Sequence, residues 1–167
     1  MRLSLTIAAL AAAAFAATAE AHEFKAGTLT IGHPYAFETP ATAKSAAGYF
    51  SVTNAGTAPD RLVAIEADGP KAEVHTTETD TSGVTRMTAV DGLEIPPGAT
   101  VTLEPRGLHV MFTGLGAPWK AGDHVPATLV FETAGAVPVV FNVQARKAGE
   151  GGDMDGMSGM DHGSGQP

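Results

Sequence analysis

The sequence has no cysteine among its 167 residues. This absence excludes disulfide bonds, a thiolate nucleophile and thiol–disulfide exchange. It also leaves no cysteine to which the lipid of a lipoprotein could be attached. The stability of the domain must therefore come from an ordinary hydrophobic core, which a chain of this length can build.

Basic residues are also scarce, with 10 Lys and Arg against 18 Asp and Glu, and the formal net charge is −8. A protein of this charge is a poor ligand for nucleic acid or for anionic lipid. We therefore expect no nucleic-acid partner and no membrane insertion of the mature protein. The acidic side chains are interpreted as a solvated surface, which could also help to dock a basic partner.

The only long apolar run is "LSLTIAALAAAAFAA" near the start of the chain. It follows Arg2 and precedes the small-residue sequence "AEA", a pattern typical of a secretory signal. We predict a signal peptide over residues 1–21, export to the periplasm and a mature chain that begins at His22. A retained anchor is the alternative, although the run is shorter than the roughly 20 residues that span a bilayer.

Beyond residue 21 no stretch has a sustained helical period, and short strand-like segments alternate with turn compositions such as "IPPG". We predict strands over 27–31, 48–54, 60–67, 72–77, 83–90, 99–105, 107–113, 127–133 and 137–145. This pattern predicts an all-β sandwich or barrel over residues 22–147. Residues 148–167 are rich in glycine and have no large aliphatic or aromatic side chain, so we predict a disordered tail.

The segment "GLHVMFTGL", residues 107–115, raises the question of function. Side chains alternate between the two faces of a strand. One face therefore receives Leu108, Val110 and Phe112, which suit a core. The other face receives His109 and Met111, an imidazole and a thioether that packing alone does not explain.

The hairpin "EVHTTETDTSGVTRM" offers a second pair of this kind. Folded about Thr81, it would place His75 opposite Met87, with Val74 and Val84 on the inward side. Directly opposed residues have Cβ atoms about 4.5–5.5 Å apart, close enough to share one ion. The candidate metal ligands are then two imidazoles and two thioethers: His75, Met87, His109 and Met111.

A neutral N₂S₂ ligand set favours Cu(I), because thioethers are soft ligands while Zn(II), Mg(II) and Ca(II) prefer thiolate, imidazole or oxygen. A blue-copper electron-transfer centre would need a cysteine thiolate. The site is therefore predicted to store or pass copper. The alternative is that the four residues are ordinary sheet residues, which would be the better interpretation of any one of them alone.

The spacing of these residues resembles a known family. His75-Thr76, ten residues, Met87, twenty-one residues and His109-x-Met111 are similar to the H(M)x₁₀Mx₂₁HxM signature of the periplasmic PCu(A)C copper chaperones. "IGHPYAFETP" and "GLHVMFTGL" also resemble that family, and the similarity covers roughly residues 27–145. Thr76 departs from the methionine that often follows the first histidine, at a position not usually counted among the four ligands.

We predict a monomeric carrier, not an enzyme. The resemblance implies a cupredoxin-like β-sandwich of Greek-key type. It also implies delivery of Cu(I) towards the copper centres of cytochrome c oxidase, to a subunit of that enzyme or to another copper assembly factor.

Two further places could bind copper. The tail sequence "DMDGMSGMDH" could bind either oxidation state through Met154, Met157, Met160 and His162, in the manner of the Met/His-rich extensions of some family members. The alternative is a solvated linker. If the signal is cleaved after Ala21, the α-amine and imidazole of His22 could chelate Cu(II), whereas an exposed terminal residue is the default.

Three other functions remain open on the sequence. Copper sequestration for tolerance would use the same ligands as delivery. A copper oxidase or oxygenase built on His22 would need a further histidine beside the terminus. A plain structural sandwich would leave the placement of the methionines unexplained. His33 is interpreted as structural and His124 as an exposed loop residue.

Overall fold

The computed structural model describes residues 23–146, and every regular element in this range is a β-strand. The all-β class predicted from the sequence is confirmed. The predicted signal peptide and tail fall on residues outside the described range. The strands are β1 (Glu23–Ala26), β2 (Leu29–Phe37), β3 (Ser45–Asn54), β4 (Asp60–Ala67), β5 (Lys71–Thr79), β6 (Thr85–Ala89), β7 (Leu93–Ile95), β8 (Thr100–Leu103), β9 (His109–Thr113), β10 (His124–Phe131) and β11 (Gly135–Gln144).

Seven of these strands close into a ring. The order is β2, β11, β10, β4, β5, β9 and β3, and β3 then pairs back with β2. Only the β11–β2 ladder is parallel among these pairings. The shorter strands attach to the ring, β1 on β2, β6 on β5, β7 on β4 and β8 on β3. The described part of the chain therefore forms one closed barrel, which is one of the two architectures that the strand pattern predicts, while the cupredoxin-like Greek-key sandwich implied by the resemblance stays a prediction.

A β-bulge in β2 has a direct part in closing the ring. The register with β3 shifts by one residue between Gly32 and Tyr35, and His33 inside this shift has a φ of 51°. A bulge bends its strand and increases the local twist. Before the bulge β2 pairs with β1, and from Tyr35 onward it pairs with β11 instead. The bend thus allows β2 to pair with β1 along its first half and with β11 along its second half.

The barrel interior is filled by alternate residues of the long strands. Phe50, Phe112 and Phe141 meet edge to face at its centre, with the Phe112 and Phe141 ring centroids 5.4 Å apart. Gly48 lies beside them, and a Cβ atom at this position would approach the Phe112 ring to 2.7 Å. Glycine is therefore required here by space, because real Cβ contacts of that length do not occur.

All nine predicted strands are present, and β4 has the predicted bounds. The short strands β1 and β7 were not predicted, since three or four residues are too few for a periodic pattern. His124 is exposed as expected, but it begins β10 and does not lie in a loop. Among residues 23–146 there is no helix of the length and apolarity needed to cross a membrane.

Candidate metal-binding site

The two predicted histidine ligands meet across neighbouring strands. His75 of β5 and His109 of β9 are direct Cα partners, and their ring centroids are 6.1 Å apart. Directly paired residues project to the same face of a sheet. The closed barrel thus brings together two imidazoles that lie more than thirty residues apart in the chain.

The alternation predicted for β9 is confirmed. Val110 and Phe112 are fully buried in the barrel interior, while Met111 is half-buried on the outer face. His109 shares that outer face, yet only 5% of its surface is exposed. Leu108 precedes the strand and packs against the core from a partly buried position. The His109 imidazole is therefore held in a shielded place with one thioether beside it on the same strand.

A backbone carbonyl fixes the orientation of the His109 ring. His109 Nδ1 lies 3.0 Å from the carbonyl oxygen of Gly107, which also accepts the amide of Thr77 at 3.3 Å. Since a carbonyl can only accept, Nδ1 must carry the proton of this bond. In the neutral ring Nε2 then has a free lone pair. This is the usual second contact of a metal-ligating histidine.

The turn that supplies this carbonyl has an unusual backbone. Arg106, just before Gly107, has a φ of 70°, in the left-handed region that side chains other than glycine and asparagine rarely adopt. The amide of Gly107 donates to the carbonyl of Glu104 and closes the turn at 3.2 Å. Backbone conformations of this kind collect at functional sites, where the surrounding structure holds them in place.

One ring nitrogen of His75 has no contact of its own among residues 23–146. This Nδ1 atom is buried and has no hydrogen-bond partner in that part of the chain. A buried polar atom without a partner is costly and calls for an explanation such as an ion. A metal ion at this nitrogen would supply the missing interaction. The donor set therefore fits a metal at the point where the two imidazoles meet.

The position predicted for Met87 is wrong in register but right in face. Met87 pairs with Thr77, and His75 pairs with Ala89, so Met87 is a diagonal neighbour of His75 and not its direct partner. Thr77 and His75 project to the same face of β5, and Met87 shares that face. Diagonal neighbours lie about 7–8 Å apart, still within reach of a long side chain.

The turn of the hairpin explains the change of register. The carboxylate of Asp80 accepts hydrogen bonds from the amides of Ser82 and Val84 and from the Ser82 hydroxyl. These bonds lower the pKa of Asp80, the Ser82 hydroxyl first. Gly83 completes the turn with a φ of 83°. The loop is therefore centred on Ser82 and not on Thr81, which moves every pairing of the hairpin.

Strand β6 is exposed along its whole length. It pairs with β5 alone, and all five of its residues are exposed, Met87 at 56%. Val84 is 48% exposed, so the prediction that it marks an inward side is wrong. Within residues 23–146, β5 is the only strand that pairs with β6, so little of this hairpin is covered. Of the predicted ligands, Met87 is therefore exposed and His109 is well shielded.

Glu73 is a neighbour of the site that the sequence reasoning missed. It is the direct partner of Met111 and projects to the same face as His75, two residues before it on β5. Strand alternation in "EVH" was the signal that could have found it. Across residues 23–146, no group of three or more His, Asp or Glu side chains is placed to hold a metal ion.

The other candidate ligands are separate from this face. His33 is exposed and lies beside Tyr35, with ring centroids 5.3 Å apart. His124 Nδ1 lies 2.8 Å from Asn142 Oδ1 and donates to it. The predicted secondary copper ligands lie outside the described residues, namely His22 and the tail residues Met154, Met157, Met160 and His162. The strand after His22 begins at Glu23, which pairs with Gly32, the neighbour of His33.

The described chain is thus an all-β barrel that gathers two histidines and two methionines on one outer face. It belongs to the LpqE-like family, whose model, described as lipoprotein LpqE-like, matches residues 29–143. The protein named as lipoprotein Lxx21020 of Leifsonia xyli subsp. xyli is 33% identical over 99 residues, which are 59% of this chain and 60% of that protein. The match therefore spans less than two thirds of that relative.

Solved structures similar to this chain are PCuAC domains and a related protein. The copper-bound PCuAC domain from PmoF2 is 29% identical over 75% of this chain and 99% of that domain, with a TM-score of 0.64. The apo PCuAC domain from PmoF1 is 28% identical over 75% and 100%, with a TM-score of 0.66. CuI-DR1885 from Deinococcus radiodurans is 29% identical over 75% and 83%, with a TM-score of 0.53.

Proposed function

We propose that this protein is a periplasmic copper chaperone and not an enzyme. It binds one Cu(I) ion through His75, Met87, His109 and Met111 and passes the ion to an acceptor protein. The observation that carries the proposal is the direct pairing of His75 with His109 on the face that also presents Met87 and Met111. The resemblance to copper-bound and CuI-bound structures supports it.

The chemistry of the face suits monovalent copper. Two imidazoles and two thioethers are neutral, soft to borderline ligands, and Cu(I) is the ion that such a set favours. The fixed Nδ1–H of His109 leaves Nε2 to bind, and the unused Nδ1 of His75 is a second donor. Neither nitrogen has to give up a strong protein contact when the ion arrives.

The unequal exposure of the ligands suggests how copper is released. Met87 is exposed on the outer hairpin, whereas His109 is buried. An acceptor would displace Met87 first and then the more shielded ligands, one at a time, at a docked interface. The ion would never be free in solution. We infer from the resemblance that the acceptor belongs to cytochrome c oxidase or to its copper assembly, and that the carrier is monomeric and cupredoxin-like.

The localisation is part of the proposal. The family model and the Leifsonia relative are both described as lipoproteins. Export of this chain would follow from the predicted signal over residues 1–21. The given sequence has no cysteine, so attachment of a lipid to one of its residues is not part of the proposal.

Titration with Cu(I) in competition with a chromogenic chelator tests the ligand set. We expect one tightly bound ion, and at least tenfold weaker binding in the double variant Met87→Leu, Met111→Leu, since loss of even an outer-shell partner typically costs about 10–100-fold in metal affinity. The matched control is Met154→Leu, Met157→Leu, which removes two thioethers from the tail. If the control loses the ion and the strand variant keeps it, the tail is the metal site and the proposal is wrong.

A second experiment separates delivery from sequestration. The Cu(I)-loaded protein is mixed with the isolated copper-binding domain of a cytochrome c oxidase subunit, and the copper content of each is measured after separation. If the protein delivers copper, Cu(I) should pass to the acceptor domain within minutes. The rate of this transfer should change in the Met87→Leu variant. Retention of the ion by the loaded protein, with no transfer to the acceptor, would favour the sequestration alternative.

A further inference from the structure

Glu73 places a carboxylate beside the proposed copper ligands, although binding of Cu(I) by two imidazoles and two thioethers does not require one. Its side chain projects to the outer face of β5 directly opposite Met111 and two residues before His75. Directly opposed residues have Cβ atoms about 4.5–5.5 Å apart. A carboxylate therefore lies at the border of a site whose four proposed ligands are all neutral.

In the structure this carboxylate is engaged elsewhere. Glu73 Oε1 lies 2.9 Å from Lys71 Nζ, and the two side chains are 44% and 70% exposed. In residues 23–146, no three His, Asp or Glu side chains are grouped for a metal ion. The face then offers only soft and borderline ligands. Exposed ion pairs of this kind are weak, so the carboxylate can leave Lys71 at little cost.

We propose that Glu73 leaves Lys71 and binds divalent copper together with His75 and His109. Cu(II) favours nitrogen and oxygen ligands in a tetragonal arrangement, and thioethers suit it poorly. A carboxylate also compensates part of the charge of a dication, which the neutral N₂S₂ set cannot do. Glu73 would thus be the ligand that allows the same face to hold either oxidation state. The inference rests on the proposed function, because it uses the same two histidines.

The role of Lys71 follows from the same contact. While Lys71 holds the carboxylate, the face keeps its soft character and its preference for Cu(I). Replacing Lys71 by an uncharged residue would leave Glu73 without its partner and favour the divalent ion. Lys71 would then act as a specificity-determining residue without touching the metal.

The test compares Glu73→Gln with Glu78→Gln in the full chain. Glu78 is on the same strand, is exposed and projects to the opposite face, so it controls for the loss of one negative charge. Affinity for Cu(II), supplied as its sulfate, is measured by competition with nitrilotriacetate, and affinity for Cu(I) by the chromogenic chelator. We expect Glu73→Gln to weaken Cu(II) binding about tenfold or more, with Cu(I) affinity changed less than about threefold.

Further measurements make the expectation sharper. A tenfold selective loss of Cu(II) affinity raises the reduction potential of the bound copper by about 59 mV. The electron paramagnetic resonance spectrum of bound Cu(II) changes in Glu73→Gln and not in Glu78→Gln. Lys71→Met strengthens Cu(II) binding several-fold and leaves Cu(I) binding unchanged. Circular dichroism of each variant reports folding independently of the metal.

Several results would overturn the inference. Unchanged Cu(II) affinity in Glu73→Gln, an equal loss in Glu78→Gln, or an equal loss of Cu(I) and Cu(II) would each show that Glu73 is not a selective ligand. Failure of the proposed function looks different, because Cu(I) binding would then be insensitive to Met87 and Met111. The two failures can therefore be told apart from one set of titrations.

Discussion

The imidazoles of His75 and His109 face each other across β5 and β9, with ring centroids 6.1 Å apart and ring planes inclined by 37°. The Gly107 carbonyl binds the His109 ring and the Thr77 amide at once, so it ties the second strand to the first. The spacing of the pair is therefore set by the barrel backbone, and the hairpin turn beyond Thr79 does not determine it. Only Met87 depends on that hairpin.

The hydrogen bond to Gly107 predicts the tautomer of His109. In the metal-free protein we expect the ring proton on Nδ1 and a lone pair on Nε2, because the carbonyl can only accept. Long-range ¹H–¹⁵N correlation spectra distinguish the two nitrogens. Addition of Cu(I) should shift the Nε2 resonance of His109 and leave that of the distant, exposed His124 in place. A proton found on Nε2 would contradict the orientation described here.

The two methionines should respond differently to loss of their sulfur atoms. Met87 is 56% exposed, so Met87→Leu should change the free energy of unfolding by no more than about 0.5 kcal/mol. Met111 is half-buried against β3 and β5, and Met111→Leu should cost less than about 1.5 kcal/mol, as volume-conserving replacements do. Urea denaturation of the metal-free proteins measures both values.

Binding of Cu(I) should distinguish the unsubstituted protein from the two methionine variants more clearly than the stability of the metal-free proteins does. A ligand that binds only the folded state stabilises it in proportion to the logarithm of its concentration over Kd. Saturating Cu(I) should therefore raise the melting temperature of the unsubstituted protein clearly more than that of either variant. Equal stabilisation of all three proteins would mean that the thioethers do not touch the ion.

The face of each proposed ligand could be predicted from the sequence, but the partner of each could not. Alternation in "HVM" placed His109 and Met111 on the outer face, and the structure agrees. The pairing of His75 with Met87 failed because the Asp80 carboxylate and Gly83 build a turn centred one residue later than assumed. Turn geometry sets the register of a hairpin. The alternation of apolar and polar residues, from which the pairing was predicted, contains no information on side-chain hydrogen bonds within the loop.

Closure of the barrel could not be predicted from the sequence for a related reason. It depends on a bulge at His33 and on a parallel ladder between β2 and β11, which are about a hundred residues apart. Local periodicity identifies strands but contains no information on such distant pairings. The contact of His75 with His109 has the same origin. The family-like spacing suggested that these residues act together, while their direct pairing is visible only in the folded chain.

Gly48 provides a test of the packing behind the site. A Cβ atom there would lie 2.7 Å from the Phe112 ring and 2.9 Å from the Phe141 ring. Overpacking of a core typically costs about 1–3 kcal/mol, and we expect Gly48→Ala to destabilise the protein by that amount. Because Gly48 pairs with Val110, between His109 and Met111, Cu(I) affinity should fall as well.

Gly116→Ala is the matched control for this variant. Nothing lies within 4 Å of a Cβ atom at Gly116, so the same change in composition meets open space there. Chemical denaturation should find the control within about 0.5 kcal/mol of the unsubstituted protein. If Gly48→Ala were equally harmless, the aromatic centre of the barrel would be more loosely packed than described.

Tyr49 predicts how the protein responds to alkaline pH. Burial raises the pKa of its phenol above the usual 10.0, the neighbouring Tyr35 raises it further, and the Arg146 guanidinium opposes both. The chain has only two tyrosines, so Tyr35→Phe leaves Tyr49 as the single phenol. Absorbance at 295 nm should then report ionisation above pH 10, since burial is the largest cause and remains.

The sign of the effect on stability follows from that shift. Below pH 10 the phenol is neutral in both the folded and the unfolded chain, and its contribution is fully present. As the pH rises past 10 the unfolded chain ionises first, so stability falls until the folded-state pKa is also passed. Arg146→Gln removes the opposing charge and should move the ionisation of Tyr49 to still higher pH. A titration at or below pH 10 in Tyr35→Phe would show that Tyr49 is not shielded beside β2, and that its packing against Phe37 is more open than described.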